Sequence, residues 1–441
     1  MTVSPFDSEI YRELLFDAEI GEHFGDAAEI SAWLRVEAAL AQSQGEIGII
    51  PAQSAAAIVQ ACAGLEVEPA SLAAGTGRDG IPIPALVAIL QTTLGDEHGP
   101  YVHLGATTQD IMDTGLVLRL REVCRIIEFR IRRLLQQMAL QAEVHAELPL
   151  AARTRAQLAT PTSFGAVIAG WGAPLLGQLD ALVQLKPRLL RVSLAGASGN
   201  ASALGPLAAE LRAALAAELE LGDNEFQWHN DRTGLAEFSA WCTRVNGSLA
   251  RMAQDYIEAA RPEVGEITLT AGGGSSTMPH KNNPVDAETL VSLFQVGAAQ
   301  DALMTQSLLH RQQRDGVAWS LEWHALPQVC MATAKSLQLA IVLAETLRPD
   351  AAAMLARLED GHGLVYAEAI SFRLAGIMPR PEAKAEVRKM CAAAIDQNCS
   401  LAEIAGQRFP DIDWRGITIP ERQLGDAPRQ ARAFAARAAS L

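Results

Sequence analysis

Chemistry in this chain concentrates first between residues 271 and 285, in Ala271-Gly-Gly-Gly-Ser-Ser-Thr-Met-Pro-His-Lys-Asn-Asn-Pro-Val285. Three glycines, Gly272 to Gly274, tolerate positive φ and leave backbone amides uncovered. Ser275, Ser276 and Thr277 add hydroxyls, and Lys281 adds a cation six residues after the first serine. Pro284 fits the first position of the helical run that follows, Val285 to His310. Mobile glycines, a hydroxyl, a lysine and an abrupt helix start suit a loop that closes over an anion. A flexible linker would explain the glycines and serines alone. The ordered tail of Met278, Pro279, His280, Lys281, Asn283 and Pro284 argues against it. No Gly-Lys-Ser/Thr follows the glycines, so this is not a P-loop.

Two further stretches could bind carboxylates. In His103-Leu-Gly-Ala-Thr107-Thr108-Gln109-Asp110, Gly105 supplies a tight turn and Thr107-x-x-Asp110 has the form of a capping box. Amides and hydroxyls there would sit at the positive end of a long helix. Plain capping explains the same residues equally well. In Arg153-Thr154-Arg155-Ala156-Gln157-Leu158-Ala159-Thr160-Pro161-Thr162, two arginines offer fork-shaped carboxylate recognition. A solvated basic turn is the competing reading. Trp228-His229-Asn230-Asp231-Arg232 leads into one helix, and Gln313 to Trp323 opens another. Trp319 and Trp323 lie one turn apart, where core packing is the ordinary expectation and a pocket wall the alternative.

These motifs need long supports. From Ile111, the residues Leu116, Leu120, Val123, Ile127, Ile131, Leu134 and Met138 recur at spacings of three and four until Pro149. That pattern predicts a bundle helix rather than a surface helix. Comparable runs cover about 162–185, 232–260, 284–312 and 318–347. The expectation is an all-α chain with a long central five-helix bundle. Residues 1–105 form a helical N-terminal domain, 106–350 the bundle and 351–441 a small C-terminal helical domain. Within the first, Ile30 to Gln44 is the clearest helix, and residues 75–84 read as a turn that then starts a helix. Short helices near 351–359, 364–375, 380–397 and 400–407 precede a loop-rich tail marked by Pro410 and Pro420.

Composition narrows the chemistry. With 441 residues, 49% hydrophobic and only 5% aromatic, the chain has the balance of a helical soluble protein. A net charge of −15 disfavours nucleic acid and requires a local cationic cleft for any acidic substrate. Six cysteines show no paired spacing and no histidine spacing suited to zinc, so reduced, mostly buried thiols are expected. The start Met-Thr-Val-Ser-Pro-Phe-Asp is not a signal peptide, and no uncharged apolar run reaches about 18 residues. A cytoplasmic protein without membrane association is expected.

The loop closely resembles the G-S-S-x-M-P-x-K-x-N-P signature of the fumarase/aspartase superfamily. The stretches at 103–110 and 153–162 resemble its H-x-G-x-T-[ST]-x-D and R-T-x-x-Q-x-A-x-P-T segments, in the same order. The resemblance implies elimination of a group β to a carboxylate, or the reverse addition, through an aci-carboxylate dianion held by preorganised donors. It implies Ser275 as the base, ionised by loop amides, Lys281 and closure. Lys281 and Asn283 would hold the substrate carboxylate, with Thr107 and Thr108 at the helix start. His103, Arg153, Arg155, Gln157, Ser276, Met278 and Arg314 stand at the remaining substrate-binding positions. No metal or organic cofactor is implied. The fold implied is the superfamily's three-domain, long-helix architecture, and the assembly a homotetramer with sites shared between subunits.

Arg155 departs from the pattern, because typical lyases of the superfamily carry histidine there to protonate a nitrogen or oxygen leaving group. Losing that acid matters little if the leaving group is itself a carboxylate. Lactone formation is such a reaction. The chain resembles the superfamily's cycloisomerase branch, also through Tyr101-Val-His-Leu-Gly-Ala-Thr, Asp113-Thr-Gly-Leu-Val-Leu and Trp323-His-Ala-Leu-Pro. That branch lactonises a tricarboxylic muconate in protocatechuate catabolism, and an arginine suits a tricarboxylate better than a histidine does. Arg78-Asp79-Gly80 lacks a histidine expected of adenylosuccinate lyases, the runner-up. A catalytically silent helical scaffold is the other alternative, disfavoured by the intact Ser275, Lys281 and Asn283. Asn282 stands where arginine is common.

Overall fold

The periodic runs are helices. The computed structural model describes residues 4–269, 272–414 and 416–441, so Met1 to Val3 and Ala271 of the sequence reading lie outside it. Five long helices span Thr108–Val144, Phe164–Leu189, Thr233–Ala259, Val285–Ser307 and Gly316–Glu345. Their apolar stripes face inward, with Leu120, Val123, Ile127, Ile131 and Leu134 all fully buried. Pro284 precedes the fourth helix instead of opening it, and its carbonyl accepts from Glu288 N at 2.9 Å as an N-cap does. Phe164–Leu189 and Gly316–Glu345 are apolar and long enough to cross a membrane by composition alone. The apolar window of the second is 78% buried inside the protein and that of the first 44%.

The described chain divides into two compact units, each built from three segments. One holds residues 1–129, 178–246 and 293–336, and the other residues 130–177, 247–292 and 337–441. These limits fall within the long helices. In the first unit, Asp26–Ile47 packs its buried Trp33, Leu34, Val36 and Leu40 into a core shared with Leu86, Leu90, Ile111 and Leu215. Residues 75–79 end the helix Pro69–Asp79 instead of forming a turn. The chain turns at Gly80, with φ 74°, before Ile83–His98.

The second unit contains the described chain's one sheet, a hairpin of β1 (Pro149–Thr154) and β2 (Gln157–Ser163). The helical reading missed it. Pairing runs from Pro149 opposite Ser163 to Thr154 opposite Gln157, with an irregularity between Ala151 and Arg153. This unit also holds Ala351–Glu359, Ala367–Leu374, Arg380–Asp396 and Leu401–Arg408, as expected. The tail read as loop ends in a further helix, Ala427–Ala439, which buries Ala431, Phe434 and Ala435. All six cysteines are free thiols, four of them buried, and burial pushes the Cys62 thiol up to about 12.

Candidate active site

In the first unit the site begins at the start of Thr108–Val144. His103 and Gly105 take φ of 62° and 76° to turn the chain into the helix. A Cβ at Gly105 would lie 2.3 Å from Leu204, so both conformation and space demand glycine there. Asp110 reaches back to accept from Thr107 N at 3.0 Å, which is half of the expected capping box. Thr107 Oγ1, which would form the other half, accepts from Arg314 Nη2 at 3.3 Å. Arg314 Nε also donates to Gln109 Oε1 at 2.8 Å. Two residues assigned to substrate binding, Thr107 and Arg314, are thus already in contact.

Asp110 is the centre of this corner. Its carboxylate also accepts from Ser193 Oγ (3.1 Å), Ala195 N (2.9 Å), Gly196 N (2.9 Å) and His229 Nε2 (2.7 Å). Burial by itself would raise the carboxyl, but the hydrogen bonds from His229, Ala195 and Gly196 prevail and hold it below the ordinary range. His103 is tethered to the buried Glu37, Nδ1 to Oε1 at 2.6 Å. Burial would lower this imidazole, yet the Glu37 carboxylate and its hydrogen bond, with Asp110 beyond, raise it above its usual value. Next to this corner Arg232 bridges Asp113 (2.7 and 2.9 Å) and Glu322 (2.7 and 2.6 Å), all three fully buried. Burial pushes Glu322 up against the opposing pull of Arg232.

Trp319 and Trp323 do meet edge to face, with centroids 5.3 Å apart, Trp319 buried and Trp323 exposed. They help line a cavity of about 550 Å³ with Trp33, Leu72, Met112 and Leu116. Its charged walls are Asp26, Glu29, Asp113 and Glu322 against Arg119. That excess of carboxylates repels a polyanion, and none of the three motifs contributes to it.

In the second unit, the tip of the hairpin is Arg155-Ala156, with φ of 50° and 61°. A two-residue loop with both φ positive is the type I′ geometry that matches strand twist, though it normally takes Asn or Gly. Arg155 stands exposed at this tip and makes no hydrogen bond or ion pair with another described residue. The Gln157 side chain donates to Ala156 O at 3.3 Å. Arg153 differs from the sequence reading. Its fork is closed on the buried Glu266, with Nη1 and Nη2 at 2.7 and 2.8 Å from the carboxylate oxygens. A guanidinium so engaged anchors the hairpin and leaves Arg155 as the open fork.

The glycine loop is closed at its neck by paired backbone bonds, Gly273 N to Asn283 O and Asn283 N to Gly273 O, both 3.0 Å. Neither Gly273 nor Gly274 takes up the positive φ that glycine tolerates. Gly272 and Gly273 are needed for close approach. A Cβ at Gly272 would sit 1.8 Å from Asn282 Oδ1, and one at Gly273 2.5 Å from Val285. Asn282 donates to Leu269 O at 3.1 Å, so the residue that departs from the signature pins the neck. Ser275 Oγ accepts from Met278 N at 3.1 Å and, at the limit, from Thr277 N at 3.4 Å. Donors aimed at this oxygen favour its ionised form. Ser276, Met278 and Lys281 are exposed, Asn283 is half-buried, and the Lys281 ammonium has no partner among the described residues. Asp110, Gln109, His229, Glu37 and Glu266 were not singled out as site residues. Their partners are distant in sequence, and only Asp110 carried a local signal.

A serine loop, a hairpin-tip arginine with no partner among the described residues and a helix start dense in hydroxyls are groups suited to small carboxylates. The chain matches the family profile described as Lyase over residues 13–296. It is 38% identical over 411 residues to the 3-carboxy-cis,cis-muconate cycloisomerase of Pseudomonas aeruginosa, covering 91% of this chain and 90% of that one. To the enzyme of the same name from Pseudomonas putida it is 35% identical over 403 residues, covering 89% and 96%. The crystal structure of the 3-carboxy-cis,cis-muconate lactonizing enzyme from Pseudomonas putida superposes with a TM-score of 0.91 at 32% identity, covering 98% of this chain and 99% of that one. The chain belongs to this lyase family, which includes the 3-carboxy-cis,cis-muconate cycloisomerases.

Proposed function

We propose that the protein lactonises 3-carboxy-cis,cis-muconate to a carboxymuconolactone, as a cytoplasmic step of protocatechuate catabolism that uses no metal or organic cofactor. One substrate carboxylate adds its oxygen to a carbon of the activated double bond, forming the C–O bond as the π bond breaks. The electron pair moves to the carbon α to another carboxylate, which then takes a proton. The aci-carboxylate formed on the way is stabilised by Lys281, Asn283, Thr107 and Thr108, and Ser275 carries the proton. In reverse, ring opening expels a carboxylate, which needs no acid to leave. Arg155 carries this reading. It is an unpaired guanidinium where an ordinary lyase of the family would place its acid, and it supplies a fork for the extra carboxylate.

The active unit is a homotetramer in which the helix start, the hairpin tip and the serine loop of one site come from more than one copy of the chain. Two of the motifs lie at ends of long helices and the third on the hairpin between two of them, which favours antiparallel neighbours as the source of the missing ends. Ultraviolet loss of the conjugated diene on adding 3-carboxymuconate tests the reaction. Cleavage of adenylosuccinate with no loss of the diene would overturn it. Mixing Ser275→Ala chains with Arg155→Ala chains should restore activity through hybrid sites, and a fully active dilute monomer would refute the sharing.

A further inference from the structure

His229 holds the helix start at two points. Its imidazole Nε2 donates to Asp110 Oδ1 at 2.7 Å, and its carbonyl accepts from Gln109 Nε2 at 2.8 Å. Asp110 and Gln109 are the residues that fix Thr107, the first through the Thr107 amide and the second through Arg314. The Asp110 carboxylate accepts only, so ring nitrogen Nε2 carries a proton. The opposite ring nitrogen, Nδ1, is buried with no hydrogen-bond partner among the described residues. The ring is 1% exposed, which keeps it from meeting a substrate directly.

The segment around His229 is itself stitched down. Trp228 Nε1 donates to Val192 O at 2.8 Å, at the start of the 193–196 strip that also binds Asp110. Asn230 Nδ2 donates to Gln312 O at 2.6 Å, two residues before Arg314. Arg232 clamps Asp113 and Glu322. Residues 228–232 therefore touch the helix start, Val192, the Gln312 turn and Glu322. Only His229 reaches both of the residues that position Thr107.

We propose that His229 is a positioning residue for substrate binding, acting through Asp110 and Gln109 on Thr107, Thr108 and Arg314. This rests on the reading that those three touch the substrate. A merely space-filling histidine would affect stability alone. A positioning residue affects substrate affinity and local order at the helix start, and an isosteric donor replaces it.

The test uses the full chain with His229→Leu, which keeps volume and removes the donor, and His229→Gln, whose amide nitrogen reaches Asp110. His229→Asn, polar but too short, serves if the leucine variant does not fold. Peptide-resolved amide exchange is measured on ligand-free protein at residues 106–112 and 193–197, beside steady-state lactonisation. Expected for His229→Leu are about tenfold faster exchange at both peptides and a KM raised at least tenfold with kcat within about threefold. His229→Gln should return both near wild type. Unchanged exchange at both peptides, or a glutamine variant as impaired as the leucine one, overturns the proposal. Failure of the wild type to lactonise the substrate defeats the proposed reaction, while the exchange result still decides the role of His229.

Discussion

Replacing Ser275 by alanine removes the oxygen on which the Met278 and Thr277 amides converge. In the ground state those contacts are ordinary neutral hydrogen bonds at a half-buried loop. Once the hydroxyl ionises, a hydrogen bond to charge contributes about 1.5–3 kcal/mol. The 3.1 Å contact from Met278 should deliver most of that and the 3.4 Å contact from Thr277 little, since strength falls with length. About 1.5–3 kcal/mol of stabilisation of the alkoxide is therefore at stake, or roughly 10- to 150-fold in rate. Loss of a proton-transfer group by itself costs typically 10²–10⁴-fold. Turnover of Ser275→Ala should thus fall by two or more orders of magnitude while a competitive tricarboxylate inhibitor binds nearly as before. The assay is diene absorbance at saturating substrate, with inhibitor titration on the same preparation. The neck bonds of Gly273 and Asn283 do not involve the side chain, so the loop should remain closed there. Near-normal turnover would refute the reasoning and move the base to Ser276 or His280.

Arg155→Ala should weaken binding of the tricarboxylate by about 1.5–3 kcal/mol, with a smaller loss for a muconate lacking the extra carboxylate. Equal losses on the two substrates would remove it as the specificity determinant. Arg153→Ala should act chiefly on stability, by about 3 kcal/mol, because it leaves the buried Glu266 carboxylate unpaired. The denaturant midpoint reads this, and a raised KM with unchanged stability would restore Arg153 to substrate binding. His103 has a raised pKa, so its pairing with Glu37 contributes stability fully present below about pH 6.5 and lost as pH rises through the raised value. Urea midpoints from pH 6 to 9 should show this alkaline decline in wild type and lack it in His103→Gln; identical profiles would contradict the assignment. Ala156→Gly should relieve a positive-φ position and stabilise by up to about 1 kcal/mol, seen as a small rise in melting temperature; a fall would show that the tip is not strained.

Local order decided much of this protein. Leucine, isoleucine and valine spaced at three and four residues settle where the long helices run, because that spacing buries one face whatever the partner. Gly105 and the Gly272–Pro284 stretch mark their own loops, since turns depend on residues adjacent in the chain. Asp110 could be read as a cap for the same reason. The hairpin escaped notice because its tip is Arg155-Ala156, with no Asn or Gly to announce positive φ, and the conformation is imposed by the strands on either side. The charge pairs escaped it too. Whether Arg153 is free or bound turns on Glu266, whether His103 is charged turns on Glu37, and the helix start depends on His229 and residues 193–196. Coulombic and hydrogen-bond partners are selected by distance in space, and no periodicity in the chain records a neighbour a hundred residues away.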